Sequence, residues 1–274
     1  MPCRVLCSSL VSVSLLLASS GASAAEPLAP VKPWVVNYDT AECTAQRAYG
    51  DPADPLLLVL GPSAWGNSYE LMIVKSGSAP KFAEQLEGSV NFGQGPIKAW
   101  LLRWGTDKPK LRQFIKFRIS EGDIAQAKNA SAVTFHMEGR PDVSLSLSAV
   151  PDLLSTLQSC TVDLQHYWNM IDPEQKKIAA PAIGDVRKVF TSNDYPSEAL
   201  TQNQEGQARF LLFVDEQGKI PACYVVEPSG IPALDGMGCQ VIRQRAKFKP
   251  AIDTAGKPIR SIVITPPVIW RLYG

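Results

Sequence analysis

Short apolar runs separated by turn residues dominate the first two thirds of the chain. Residues 34–38, 56–60, 69–74 and 98–104 are rich in branched, aromatic or leucine side chains and are punctuated by Asp, Gly or Pro, so each reads as a strand. Residues 133–137 and 143–147 continue the series around Gly139-Arg-Pro141. In the second of these, Val143, Leu145 and Leu147 point one way while Ser144 and Ser146 point the other, the period of two of a half-buried strand. Residues 111–119 alternate imperfectly because Phe114 is out of phase, and a bulge would accommodate it. Residues 120–128 form a short polar helix or loop. The period then changes: Leu153, Leu157, Cys160 and Leu164 recur at helical spacing, with Pro151 and Asp152 where helix starts favour them. Residues 26–177 therefore read as a β-rich, sandwich-like domain with a terminal helix.

Residues 178–189, beginning Ile-Ala-Ala-Pro-Ala-Ile-Gly, read as a short linker, and a smaller unit follows over 190–274. It starts with Tyr195-Pro196 and a short helix over 197–201. In a strand over 207–214, Ala208, Phe210, Leu212 and Val214 fall on one face, and Arg209, Leu211 and Phe213 on the other. Asp215-Glu-Gln-Gly218 supplies a hairpin turn, and a second strand covers 220–226. A helix over 234–247 carries an apolar stripe of Leu234, Val241 and Ile242. Gly236 and Gly238 each weaken it by roughly 1 kcal/mol, so it depends on tertiary contacts. The final strand region, 260–264 and 268–272, is interrupted by Pro266-Pro267, which places it bent at a sheet edge. Leu211, Phe213, Tyr224 and Val226 share the outer face of the hairpin, where a one-sided sheet is ordinarily polar. Either the first domain or a second copy of the chain is expected to cover them.

A length of 274 residues allows about two domains. The formal net charge of +1 provides no field for capturing nucleic acid or an anionic membrane. Arg4, an apolar stretch over 10–18 and Ala22-Ser23-Ala24 have the layout of a cleaved secretory signal over residues 1–25. Cys3 and Cys7 would leave with it. The remaining Cys43, Cys160, Cys223 and Cys239 are an even set in an oxidising compartment, which favours disulfides. Cys43 follows the first strand and Cys160 lies on the apolar helix face, so a Cys43–Cys160 bridge would clip the end of the first domain to its beginning. The two histidines, His136 and His166, are far apart and read as a packed or hydrogen-bonded strand residue and a helix-end dipole contact. No metal site or cofactor is expected. Neither a phosphate loop nor a G-x-S-x-G elbow occurs, so the expectation is a protein without enzymatic activity.

Tyr195-Pro196, the paired hairpin strands, the helix start Ala233-Leu-Asp235, the exit Phe248-Lys-Pro-Ala251 and the closing strand form one ordered string. That order resembles the C-terminal domain of TonB-family energy transducers. The resemblance implies an α+β tail, a three-stranded antiparallel sheet with two helices, in a Gram-negative periplasm. It further implies a partner, an outer-membrane TonB-dependent transporter, whose peptide box pairs with the last strand at Ser261, Ile262, Val263 and Ile264. Residues before the Tyr-Pro, here Thr191, Ser192, Asn193 and Asp194, would contribute. Matching the hairpin to the family places Cys223 and Val225 on the inner face with Phe210 and Leu212, and hence implies a Cys223–Cys239 bridge. Arg243, Arg245, Lys247 and Lys249 crowd the helix end, either complementing its dipole on a solvated face or forming a surface for an acidic partner. TonB transducers carry a long proline-rich spacer and a membrane helix with a serine and a histidine. This chain has a short linker and no histidine near its N-terminus, so a soluble accessory relative is expected. The rival expectation is an envelope scaffold that binds cell wall or dimerises through Leu211, Phe213, Tyr224 and Val226.

Overall fold

Alternation decides the first two thirds of the fold. The computed structural model describes residues 26–78, 80, 83–106 and 111–272; the expected signal over 1–25, with Cys3 and Cys7, lies outside the described residues. The strands are β1 (Val35–Tyr38), β2 (Cys43–Tyr49), β3 (Leu56–Pro62), β4 (Ser68–Ser76), β5 (Glu84–Asn91), β6 (Pro96–Thr106), β7 (Arg112–Ser120), β8 (Ala132–Met137) and β9 (Val143–Ser146). They build one antiparallel sheet in the order β1-β2-β3-β4-β7-β6-β5-β8-β9. The expected sandwich is corrected here: these strands form a single curled sheet, not two facing ones. Alternation shows that one face is buried but not what covers it. The cover is a helix rather than a second sheet. Helix α1 (Glu121–Ile124) is capped by a reciprocal Ser120–Asp123 box and runs into a 3-10 turn at Ala125–Asn129. Helix α2 (Val150–Tyr167) presents Leu153, Leu157, Cys160 and Leu164 to the strands, in one core with Leu58, Leu101, Phe117 and Phe135.

Residues just before β1 close the curl. Leu28 donates to Ser144 O and its own carbonyl accepts from Ser146 N, while Val31 N and Ala29 O bond to Ala48 and Gly50 on the other side. Those few residues bridge β9 to β2. The disulfide Cys43–Cys160 then fixes α2 to the start of β2.

Two local expectations change, and two strands, β2 and β5, lie where no element was expected. β7 pairs with β4 and β6 in continuous register, so the bulge expected near Phe114 is absent from those ladders. Phe114 lies on the outer face, stacked on Trp104 at 5.3 Å, which is why it breaks phase. Strands β2 and β5 give little apolar signal. The buried positions of β2 include Cys43 and Ala45 alternating with polar residues, and β5 carries Gly88, where an added Cβ would meet Leu101 Cδ1 at 2.7 Å. The expected linker begins with strand β10 (Ile178–Ala180).

The tail contains helix α3 (Ser197–Thr201), β11 (Gly206–Val214), β12 (Ala222–Glu227) and helix α4 (Pro232–Arg245). It continues through β13 (Ala251–Asp253), β14 (Pro258–Ile259), β15 (Ser261–Ile264) and β16 (Val268–Trp270). β11 is central, with β12 on one side and β15 then β16 along the other, so the Pro266-Pro267 break splits the third strand in two. β10, β13 and β14 form a separate small sheet. Phe210, Leu212, Leu234 and Ile242 anchor the second core, beneath α4. The Cys223–Cys239 disulfide joins β12 to that helix.

The two helix glycines are not equivalent. A Cβ on Gly238 would meet Phe210 Cζ at 2.3 Å, whereas one on Gly236 meets nothing within 4 Å. Gly236→Ala is expected to raise stability by about 1 kcal/mol through helix propensity, and Gly238→Ala to lower it by about 1–3 kcal/mol through overpacking. Urea unfolding midpoints check this; equal shifts would contradict the close contact of α4 with Phe210.

Candidate functional site

The outer face of the hairpin is covered by the chain itself. Leu211 and Phe213 are fully buried and belong to the same core as the curled sheet, with Tyr224 and Val226 packed against it. Phe213 lies on Trp168 at 4.7 Å and on Tyr224 at 5.4 Å. Tyr224 Oη donates to Ala41 O, and Asn169 Nδ2 to Arg260 O at 2.6 Å. Arg260 stacks on Tyr167 and donates to its carbonyl at 2.9 Å. This corrects the expected dimer surface at Leu211, Phe213, Tyr224 and Val226: the first domain occupies it, so it is not free to meet a second copy.

The opposite situation holds at the β15 rim. Thr265 N donates to Phe210 O at 2.9 Å, and the ladder pairs Val263 with Leu212 and Ser261 with Val214. Backbone groups alternate in direction along an antiparallel strand. Ser261 and Val263 therefore turn theirs toward β11, while Ile262 and Ile264 turn theirs outward. No further strand pairs with β15 among the described residues. Ser261 is buried, Ile262 packs against the first core, Val263 against the second, and Ile264 is exposed. Nearby Ile269 and the double proline are exposed as well.

Thr191, Ser192, Asn193 and Asp194 sit elsewhere. Thr191, Ser192 and Asn193 are exposed, but Asp194 is buried and engaged. Its Oδ2 accepts from Arg245 Nη1 at 2.7 Å, from Thr191 N at 2.7 Å and from Thr191 Oγ1 at 2.9 Å. Arg245 chiefly holds this carboxyl down at about 2, with the Thr191 donors reinforcing it against the opposing effect of burial. The flanking Phe190 and Tyr195 rings pack edge-on against Trp270, which pairs with Gly206. This places the segment beside the far end of β11 from Ser261. Arg245 is thus committed to Asp194. Arg243, Lys247 and Lys249 are exposed and make no ion pair within 4 Å among the described residues.

Both histidines meet carboxylates: His136 with Asp142 at 2.8 Å and His166 with Glu174 at 2.6 Å. No group of three or more metal-ligating side chains occurs among the described residues. No described helix is long and apolar enough to cross a membrane.

A second feature had no clear signal in the sequence. β4, β7 and the rim of β12 border a cleft of about 840 Å³. On its floor Glu70 accepts from Arg118 Nη2 at 2.7 Å and from Lys116 Nζ at 3.1 Å. Burial pushes the Glu70 carboxyl up, but the two cations outweigh it and hold the group below its ordinary value. These residues come from strands far apart in sequence, which no local pattern could have joined.

Residues 191–272 match the family of the Gram-negative bacterial TonB protein C-terminal domain. No curated protein matches the chain. The tail is therefore a TonB-family C-terminal domain, and the part before it has no family match.

Proposed function

We propose that this protein is a TonB-like component of the Gram-negative envelope, exported to the periplasm, where it binds partner polypeptides without catalysing a reaction. The partner is an outer-membrane TonB-dependent transporter, whose extended peptide adds as a strand to β15. The observation that carries this reading is the outward-facing backbone of Ile262 and Ile264 at a sheet edge. Such an edge is a template for an added strand. The family match of the tail supports a role in transport energy coupling. The disulfides Cys43–Cys160 and Cys223–Cys239 suit an oxidising compartment.

The test uses the mature chain and a synthetic peptide carrying the N-terminal box of a TonB-dependent transporter. Ile262→Pro deletes an N–H that points away from β11, so the existing ladder can persist. Peptide binding measured by fluorescence anisotropy should weaken at least tenfold in this variant. Undiminished binding, or binding that leaves the Ile262 and Ile264 amide resonances unmoved, would overturn strand addition at this edge.

A further inference from the structure

The other edge of the tail sheet is open too, and it faces the cleft. Phe210, Leu212 and Val214 turn their backbone groups toward the β15 side, so Leu211 and Phe213 turn theirs toward β12, opposite Tyr224 and Ala222. Cys223 and Val225 consequently direct their N–H and C=O groups away from β11. No strand pairs with that rim among the described residues, and Cys223, Tyr224, Val225 and Val226 all line the cleft. Across from them lie Val59, Met72 and Trp104 on the outer face of the curled sheet, with Gly236 of α4 alongside. A volume of about 840 Å³ accommodates several residues of extended chain.

Charge selects among polypeptides. Lys116 and Arg118 both bond Glu70, so the floor's cations are already engaged. Glu42 and Asp235 also line the cleft and form no ion pair among the described residues. Asp235 is only 8% exposed and accepts from Ser229 N at 2.9 Å. The five ionisable carboxylate and cation groups on the wall thus leave acid in excess. Burial pushes the Glu42 carboxyl up, and repulsion from Asp39 and Glu70 adds to it. A cation entering here would relieve that repulsion.

We infer that the cleft takes a second extended polypeptide, one bearing a basic side chain, as a strand added to the outer rim of β12. Its backbone would pair with Cys223 and Val225, an apolar side chain would rest on Met72 and Trp104, and a lysine or arginine would approach Glu42 and Asp235. The site is distinct from the β15 rim because β11 separates them, so one tail sheet can hold two chains at once.

The experiment uses the mature, disulfide-intact protein and an array of nonapeptides with valine or threonine at alternate positions and lysine, glutamate or serine between. Lysine peptides should be retained at least tenfold better than glutamate peptides. Gly236→Trp, at a cleft-lining position where an added Cβ meets nothing within 4 Å, should cut that retention at least tenfold while melting no lower than the parent. Glu42→Gln should narrow the lysine preference several-fold, and Ile262→Pro should leave it unchanged. In amide exchange, a bound lysine peptide should protect Cys223 and Val225. Absence of retention, or retention without lysine preference, overturns the inference. So does retention that survives Gly236→Trp; if it is also lost with Ile262→Pro, the peptide sits on β15, and the proposed function stands without the second site.

Discussion

Phe213→Asp is expected to destabilise the protein by about 4 kcal/mol or more, because it places a charge where no solvent reaches. The ring it removes lies at 4.7 Å from Trp168 and closes the contact between tail sheet and curled sheet. A loss of that size lowers the melting temperature of a chain this long by about 8–16 °C. Thermal melting followed by near-UV circular dichroism reads it directly. The aspartate acts on folding rather than on assembly. A variant that melts like the parent and merely changes from dimer to monomer in sedimentation would contradict the covered face.

Loss of the Cys43–Cys160 bridge should cost about 5 kcal/mol, against about 3 kcal/mol for Cys223–Cys239, if the effect is entropic. The difference follows from the spans closed, 117 residues in the first case and 16 in the second. Paired alanine variants of each bridge, compared by guanidinium unfolding, separate the two. The longer one also ties α2 to β2 across the core, so its removal should loosen both α2 and the neighbouring Trp168 contact. An equal or inverse ranking would show that local packing, rather than chain constraint, dominates both bridges.

What the sequence made legible was local and periodic. The apolar stripe of Leu153, Leu157, Cys160 and Leu164 announced α2, and the alternating sides of residues 207–214 announced β11. The ordered Tyr-Pro, hairpin, helix and proline exit made the tail recognisable. Cys160 on a buried stripe pointed to the bridge that the fold contains. Four things stayed hidden for physical reasons. Strand β2 buries small residues such as Ala45, which add little to an apolar count. The residues around Leu28 become structural only when β9 and β2 arrive on either side. The cover over Phe213 comes from Trp168, in another unit, so the outer face could be read as occupied without revealing by what. The cleft is the extreme case, since Glu70, Lys116 and Asp235 meet only in the finished fold.

The brevity of β15 has a kinetic meaning. Before Pro266-Pro267 only Ile262 and Ile264 turn outward, offering two donors and two acceptors. Four hydrogen bonds at about 1 kcal/mol net each amount to about 4 kcal/mol, the free energy of a millimolar complex before any cost of association. Backbone pairing alone would therefore let a visitor leave almost as soon as it arrived. Lasting residence must come from side chains beyond the ladder, and they would decide which visitors stay.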